Sequence, residues 1–223
     1  MARRRVLITG FGPFPGFAEN PSAWLVETLA KRHGAPEFKL DARVLRTEWD
    51  NVALIPRLFE TLQPHAMIHF GVAKRATAFH IERSAHNRTA QERDARGATP
   101  GDRAIRADGS PRLDTEFPAA KLAAYLRQNG IRAKTSRSAG AYLCNFLYYH
   151  ALEWAQSQRA VPPVVFVHIP PWTKRGGPLS REALIQGGEA VLRFVLAEPG
   201  ESPLKPKARP PISRGTDARA RDA

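Results

Sequence analysis

The chain has one cysteine, Cys144, in the stretch "SAGAYLCNFLYYHALEW" that spans residues 138–154. A thiol attacks as its thiolate, and the start of a helix favours that form while its free N–H groups can hold an oxyanion. Ser138 or Gly140 is a candidate helix start, which places Cys144 within about one turn of the N-terminus. The same residue also fits an apolar helix face with Leu143, Leu147 and Ala151, and for a lone cysteine such packing is the commoner explanation. His168 stands near the end of "VVFVHIP", as a general base at a strand end or as a hydrogen-bonded core histidine. Glu82, in "FHIERSAHN", sits in a short segment that alternates apolar and polar residues. Alone, it reads as a solvent-facing strand position beside Arg83.

The elements that must position these residues follow an alternating order. "RVLIT" is a short apolar run closed by "GFGPFPG", the pattern of a buried strand ending in a loop. A helix follows from Pro21 with Asn20 as its N-cap, then a strand around "DARVLRT". A helix over "NVALIPRLFETLQ", kinked or shortened by Pro56, leads to the strand "HAMIHFG". Residues 84–115 are polar and rich in Gly and Pro, and predict a long excursion with at most short strands. Beyond it come a helix over "PAAKLAAYLRQNG" stopped by Gly130, the strand "IRAKTSR", a helix over 140–157, the strand "PVVFVHIP" and a last helix over "SREALIQGGEAVLRFVLAE".

This β–α alternation predicts an α/β fold, a three-layer α/β/α sandwich around a mostly parallel mixed sheet, in one domain over residues 1–198. The segment 199–223 is rich in Pro and charge, and is expected to be a disordered tail. Ligands of such sheets bind beyond the carboxyl ends of the strands. There the "GFGPF" loop, the "FGVAKR" loop, the start of the Cys144 helix and His168 converge. "GFGPFPG" lacks a lysine and the spacing of a phosphate cradle; a rigid loop presenting Phe11 and Phe14 suits a flat, uncharged ligand, or else plugs the sheet's end.

One cysteine cannot form an internal disulfide, and no stretch has the roughly 20 apolar residues that cross a bilayer, so a cytoplasmic protein without membrane association is expected. The 34 Lys and Arg against 21 Asp and Glu raise the question of a nucleic-acid partner. The basic residues are scattered, without zinc-finger spacing or an aromatic RNA-binding signature, and read as a solvated surface rather than a nucleic-acid site.

Taken together, these segments resemble the pyroglutamyl peptidase I (pyrrolidone-carboxylate peptidase) family of cysteine peptidases, over nearly all of residues 5–197. The most specific piece is S-x-x-A-G-x-Y-x-C-N, present as Ser136, Ala139, Gly140, Tyr142, Cys144 and Asn145. The resemblance implies a catalytic triad of Cys144, His168 and Glu82, with no metal or organic cofactor. It implies a substrate pocket formed by Phe11, Phe14 and Asn20, with Gly71 and Val72 from the "FGVAKR" loop beside them. The implied reaction is hydrolysis of N-terminal pyroglutamate from peptides through a thioester, in a protein that forms a homodimer or homotetramer. Three places depart from the family's pattern: its usual "AGGR" is here Ala73-Lys74-Arg75-Ala76, its Asp-Ala-Arg segment comes later, as Asp94-Ala95-Arg96, and its usual H-x-P-Y is here His168-Ile169-Pro170-Pro171-Trp172. Arg83, Arg93 and Arg96 are equal candidates for any arginine role. The alternatives are a divergent member acting on another small amide or lactam, and a basic nucleic-acid-binding module.

Overall fold

The computed structural model describes residues 4–14, 16–33, 38–172 and 177–197. In chain order its elements are β1 (Arg4–Phe11), α1 (Pro21–Arg32), β2 (Phe38–Leu45), α2 (Trp49–Ala53), α3 (Ile55–Leu62), β3 (Ala66–Val72), β4 (Phe79–Glu82), β5 (Ser84–His86), β6 (Arg112–Asp114), α4 (Ala119–Gln128), β7 (Ala133–Ser136), α5 (Leu143–Gln156), β8 (Val164–Ile169) and α6 (Arg181–Leu196). Six strands form the main sheet in the order β2-β1-β3-β8-β4-β7, and β5 pairs with β6 in a separate ribbon. The first four strands are parallel, β4 runs antiparallel to β8, and β7 is parallel to β4.

Strands with neighbours on both sides and helices over both faces must be apolar throughout, and β3 and β8 are buried along nearly their whole length. Period-two alternation divides their side chains between two cores. Val6, Ile8, Ile68, Phe70, Val165 and Val167 pack under α1, α4 and α6. Leu7, Phe11, Met67, Val164 and Phe166 face α2, α3 and α5. On this second face His69 is fully buried between Phe59 and Phe166, with Thr9 Oγ1 2.8 Å from its Nδ1. Burial lowers its pKa to about 3, so the imidazole is neutral.

Local signals place the helices. Asn20 caps α1, its Oδ1 accepting from Ser22 N at 3.0 Å, with Pro21 in the first turn. Pro56 splits the segment after β2 into α2 and α3, which meet at Leu54. Gly130, at φ 76°, closes α4 in the left-handed conformation that glycine adopts without strain. Among the described residues no helix is long and apolar enough to cross a membrane. The expected tail, 199–223, lies outside the described residues.

Three expectations are corrected. The cysteine helix starts at Leu143, not at Ser138 or Gly140, because Gly140 is at φ 89° and Tyr142 is extended. The strand before it, β7, runs against β8, so the loop 137–142, and not the strand's carboxyl end, carries Cys144 to the site. Glu82 is not a solvent-facing position: it is 2% exposed, inside the sheet between β8 and β7.

Candidate active site

Strand parity brings the site together. In the β3–β8 register Gly71 lies opposite His168, and in the β8–β4 register His80 lies opposite His168. Opposed residues share a face, so Gly71, His168, His80 and, two residues on, Glu82 all point toward α5. Glu82 is thus the diagonal neighbour of His168, whose Nδ1–H donates to its Oε1 at 2.8 Å. Tyr148, buried on α5, donates its hydroxyl to the Glu82 carbonyl at 3.0 Å and fixes that end of β4. Glu82 Oε2 has no hydrogen-bond partner among the described residues, so the imidazole is the carboxylate's principal partner.

Cys144 enters from above as the second residue of α5. No side chain caps this helix, so its first-turn N–H groups are available to a ligand. Gly71 makes room for the sulfur: a Cβ there would lie 2.8 Å from Cys144 Sγ and 3.1 Å from the Phe166 ring. With Nδ1 of His168 committed to Glu82, Nε2 is the ring nitrogen left to face the Cys144 side chain. Burial opposes charge on His168. The negative charge and hydrogen bond of Cys144, and those of Glu82, outweigh it and push the pKa up to about 10. The imidazole is therefore an imidazolium at neutral pH, held between the side chains of Cys144 and Glu82.

The pair opens into a cavity of about 650 Å3. Phe11 from the end of β1, Phe14 and Val72 line one side, and Phe14 stacks on Phe17 with centroids 4.7 Å apart. Asn20 also borders the cavity, but its amide is engaged: Nδ2 donates to Gly12 O at 2.8 Å, and Oδ1 accepts from Ser22 N and Ser22 Oγ. The far wall comes from the excursion and the loop before α5, with Ala90, Glu92, Arg93 and Tyr142. Among the described residues no three His, Cys, Asp or Glu side chains are grouped to hold a metal ion.

A thiol in the first turn of a helix, a histidine between it and a buried glutamate, and an aromatic-walled cavity form the arrangement of a cysteine hydrolase. Comparison with known proteins gives it a family: the pyroglutamyl peptidase model matches residues 4–175. The chain belongs to the pyroglutamyl peptidase family. Pyroglutamyl-peptidase 1 of Rattus norvegicus is 30% identical over 197 residues, 87% of this chain and 90% of that protein. Among solved structures, the pyrrolidone carboxyl peptidase of Thermococcus litoralis superposes with a TM-score of 0.78 at 28% identity, covering 86% of this chain and 93% of that one. That of Thermus thermophilus gives 0.75 at 30% identity, covering 84% and 98%.

Within this pyroglutamyl peptidase fold, Cys144, His168 and Glu82 meet, and Phe11, Phe14, Asn20 and Val72 line the adjoining cavity. Gly71 lies beneath the sulfur rather than on the cavity surface. Of the three arginines left equal by the sequence, only Arg93 lines the cavity. The later Asp-Ala-Arg segment has a structural task. Asp94 is buried and accepts from Trp49 N at 3.0 Å, Arg96 N at 2.8 Å and Ala98 N at 2.9 Å. Burial opposes its charge, but these N–H donors and the Arg96 charge hold its pKa below the ordinary value. It thereby satisfies the first N–H of α2 from 45 residues away, where Glu48 provides no cap. Sequence reasoning missed Thr47, Lys74 and Glu92 as lining residues; a loop wall carries no periodic signal.

Proposed function

We propose that the protein is a cysteine exopeptidase that hydrolyses N-terminal pyroglutamate from peptides. The observation that carries this reading is His168 between Cys144 and the buried Glu82, at the mouth of a cavity walled by Phe11 and Phe14. A pyroglutamyl lactam is flat and neutral, so aromatic faces suit it where a counter-charge would not.

The Cys144 proton already resides on His168 Nε2, and Glu82 orients the ring and stabilises the imidazolium. The thiolate attacks the pyroglutamyl carbonyl, forming the S–C bond, and the developing oxyanion is met by N–H groups of the first turn of α5. Collapse breaks the C–N bond while Nε2–H protonates the departing amine. Water then attacks the thioester with His168 as base, releases pyroglutamate and leaves the sulfur beside the reprotonated imidazole, as at the start. The names of the relatives support the same activity, and with family membership they leave the nucleic-acid module and the other-lactam reading without support.

The test is release of aminomethylcoumarin from its pyroglutamyl amide by wild type, Cys144→Ser and Cys144→Ala. Wild type is expected to turn over and to be inactivated by iodoacetamide, and both variants to lose at least about a thousandfold in kcat/KM. A folded wild type without thiol-dependent release overturns the proposal.

A further inference from the structure

We propose that Lys74 makes the enzyme selective for a carboxylate on the residue released from pyroglutamate, supplied by an acidic side chain or by the free end of a dipeptide. This rests on the function proposed above and adds the chemical class of its preferred substrate.

The cavity is much larger than a five-membered lactam, so most of it receives the leaving residue. Lys74 sits on the turn after β3, where Ala76 N donates to Ala73 O at 2.9 Å and Ala73 N to Ile169 O at 3.1 Å. Tied in this way to the end of β8, its backbone holds a fixed place on the edge that carries His168. Only its four-carbon stem moves.

The charged groups on the cavity differ in what they are free to do. Arg93 is committed to its own loop, donating from Nη1 to Gly97 O at 2.7 Å. Glu92 belongs to the wall of Tyr142, whose hydroxyl pKa is raised to about 12 by burial and then by the charges of Asp94, Glu92 and Cys144. The imidazolium of His168 is balanced by the thiolate and by Glu82. Lys74 is exposed, and its ammonium lies 5.7 Å from the centroid of Phe14, with no ion pair among the described residues. That cation–π contact is weak at an exposed position. A lactam stacking on Phe14 takes its place and releases the ammonium toward the rest of the substrate. The chain's net charge of +13 adds a field that draws anionic peptides to the cavity.

The test compares kcat/KM for two isosteric pairs, pyroglutamyl-Glu-amide against pyroglutamyl-Gln-amide, and pyroglutamyl-Ala against pyroglutamyl-Ala-amide. The first pair reads a side-chain carboxylate and the second a chain-end carboxylate. At low salt wild type is expected to favour the carboxylate by about fivefold in at least one pair, falling toward parity at about 0.5 M salt. Lys74→Gln removes the preference, and Lys74→Glu inverts it. A wild type that turns over the neutral amides with no preference in either pair overturns this inference alone, as does a preference that survives in Lys74→Gln. No turnover of any of the four by folded wild type overturns the proposed function, and this inference with it.

Discussion

Replacing Glu82 by Gln keeps the shape and an acceptor for His168 Nδ1–H but removes the charge 2.8 Å away. Two estimates bracket the effect. Exchanging a charge-assisted hydrogen bond for a neutral one costs about 1–1.5 kcal/mol, or about one pKa unit. Removing a charge about 4 Å from the imidazolium centre at an effective dielectric of about 20 costs about 4 kcal/mol, or about three units. The His168 pKa, pushed up to about 10 in the native protein, should therefore fall to between about 7 and 9 in Glu82→Gln. A raised pKa favours the protonated ring, so wild-type activity persists as pH rises until His168 titrates near 10. The contribution of this group to folding follows the same course, complete below its ordinary value of 6.5 and lost as pH rises through about 10. The measurement is kcat/KM for the pyroglutamyl coumarin amide against pH, with the alkaline limb expected about one to three pH units lower in the variant. Glu82→Asp, which keeps the charge, should hold the limb nearer its wild-type position. An unchanged limb in a folded Glu82→Gln protein would refute the electrostatic role given to Glu82.

Gly71→Ala forces a methyl group to 2.8 Å from Cys144 Sγ, and is expected to lower kcat at least about tenfold and stability by about 1–3 kcal/mol, read by single turnover and by denaturant melts. Asp94→Ala leaves three N–H donors without their acceptor; KM should rise several-fold with a smaller change in kcat, because the Glu92–Arg93 wall loosens while the triad stays assembled. Asn145 is fully buried and holds His86 N, His86 O and Arg88 O. Asn145→Ala leaves those groups unpaired and should cost about 3 kcal/mol or more of stability, measured by urea unfolding.

What could be read from the sequence was local. Asn20, Pro21, Pro56 and Gly130 act within a few residues of themselves, and each sets the boundary their residue types imply. The inner strands were equally plain, since burial on both faces leaves an uninterrupted apolar run. The direction of β4 and β7 was not readable, because alternation is the same whichever way a strand runs. Nor was the burial of Glu82, which depends on His168, 86 residues away. The resemblance pointed to Cys144, His168 and Glu82, and no periodicity could have joined them. The excursion was least readable of all. It is held by side chain-to-backbone ties such as those of Asn87 to Arg106 and Gly109, of Asp94 and of Asn145, and such ties leave no repeating pattern.

That mode of attachment governs how the molecule responds to heat. Between Asn87 and Pro111 only Asp94 and Pro100 are buried, so little apolar surface opposes the opening of this stretch. It is expected to open as its own cooperative unit, at a lower free energy than the sheet, and on warming to take one side off the chamber while the thiol keeps its partners. Peptide turnover should therefore fade before the circular dichroism changes, and alkylation of Cys144 should outlast both the amide protons of the excursion and the turnover they sustain.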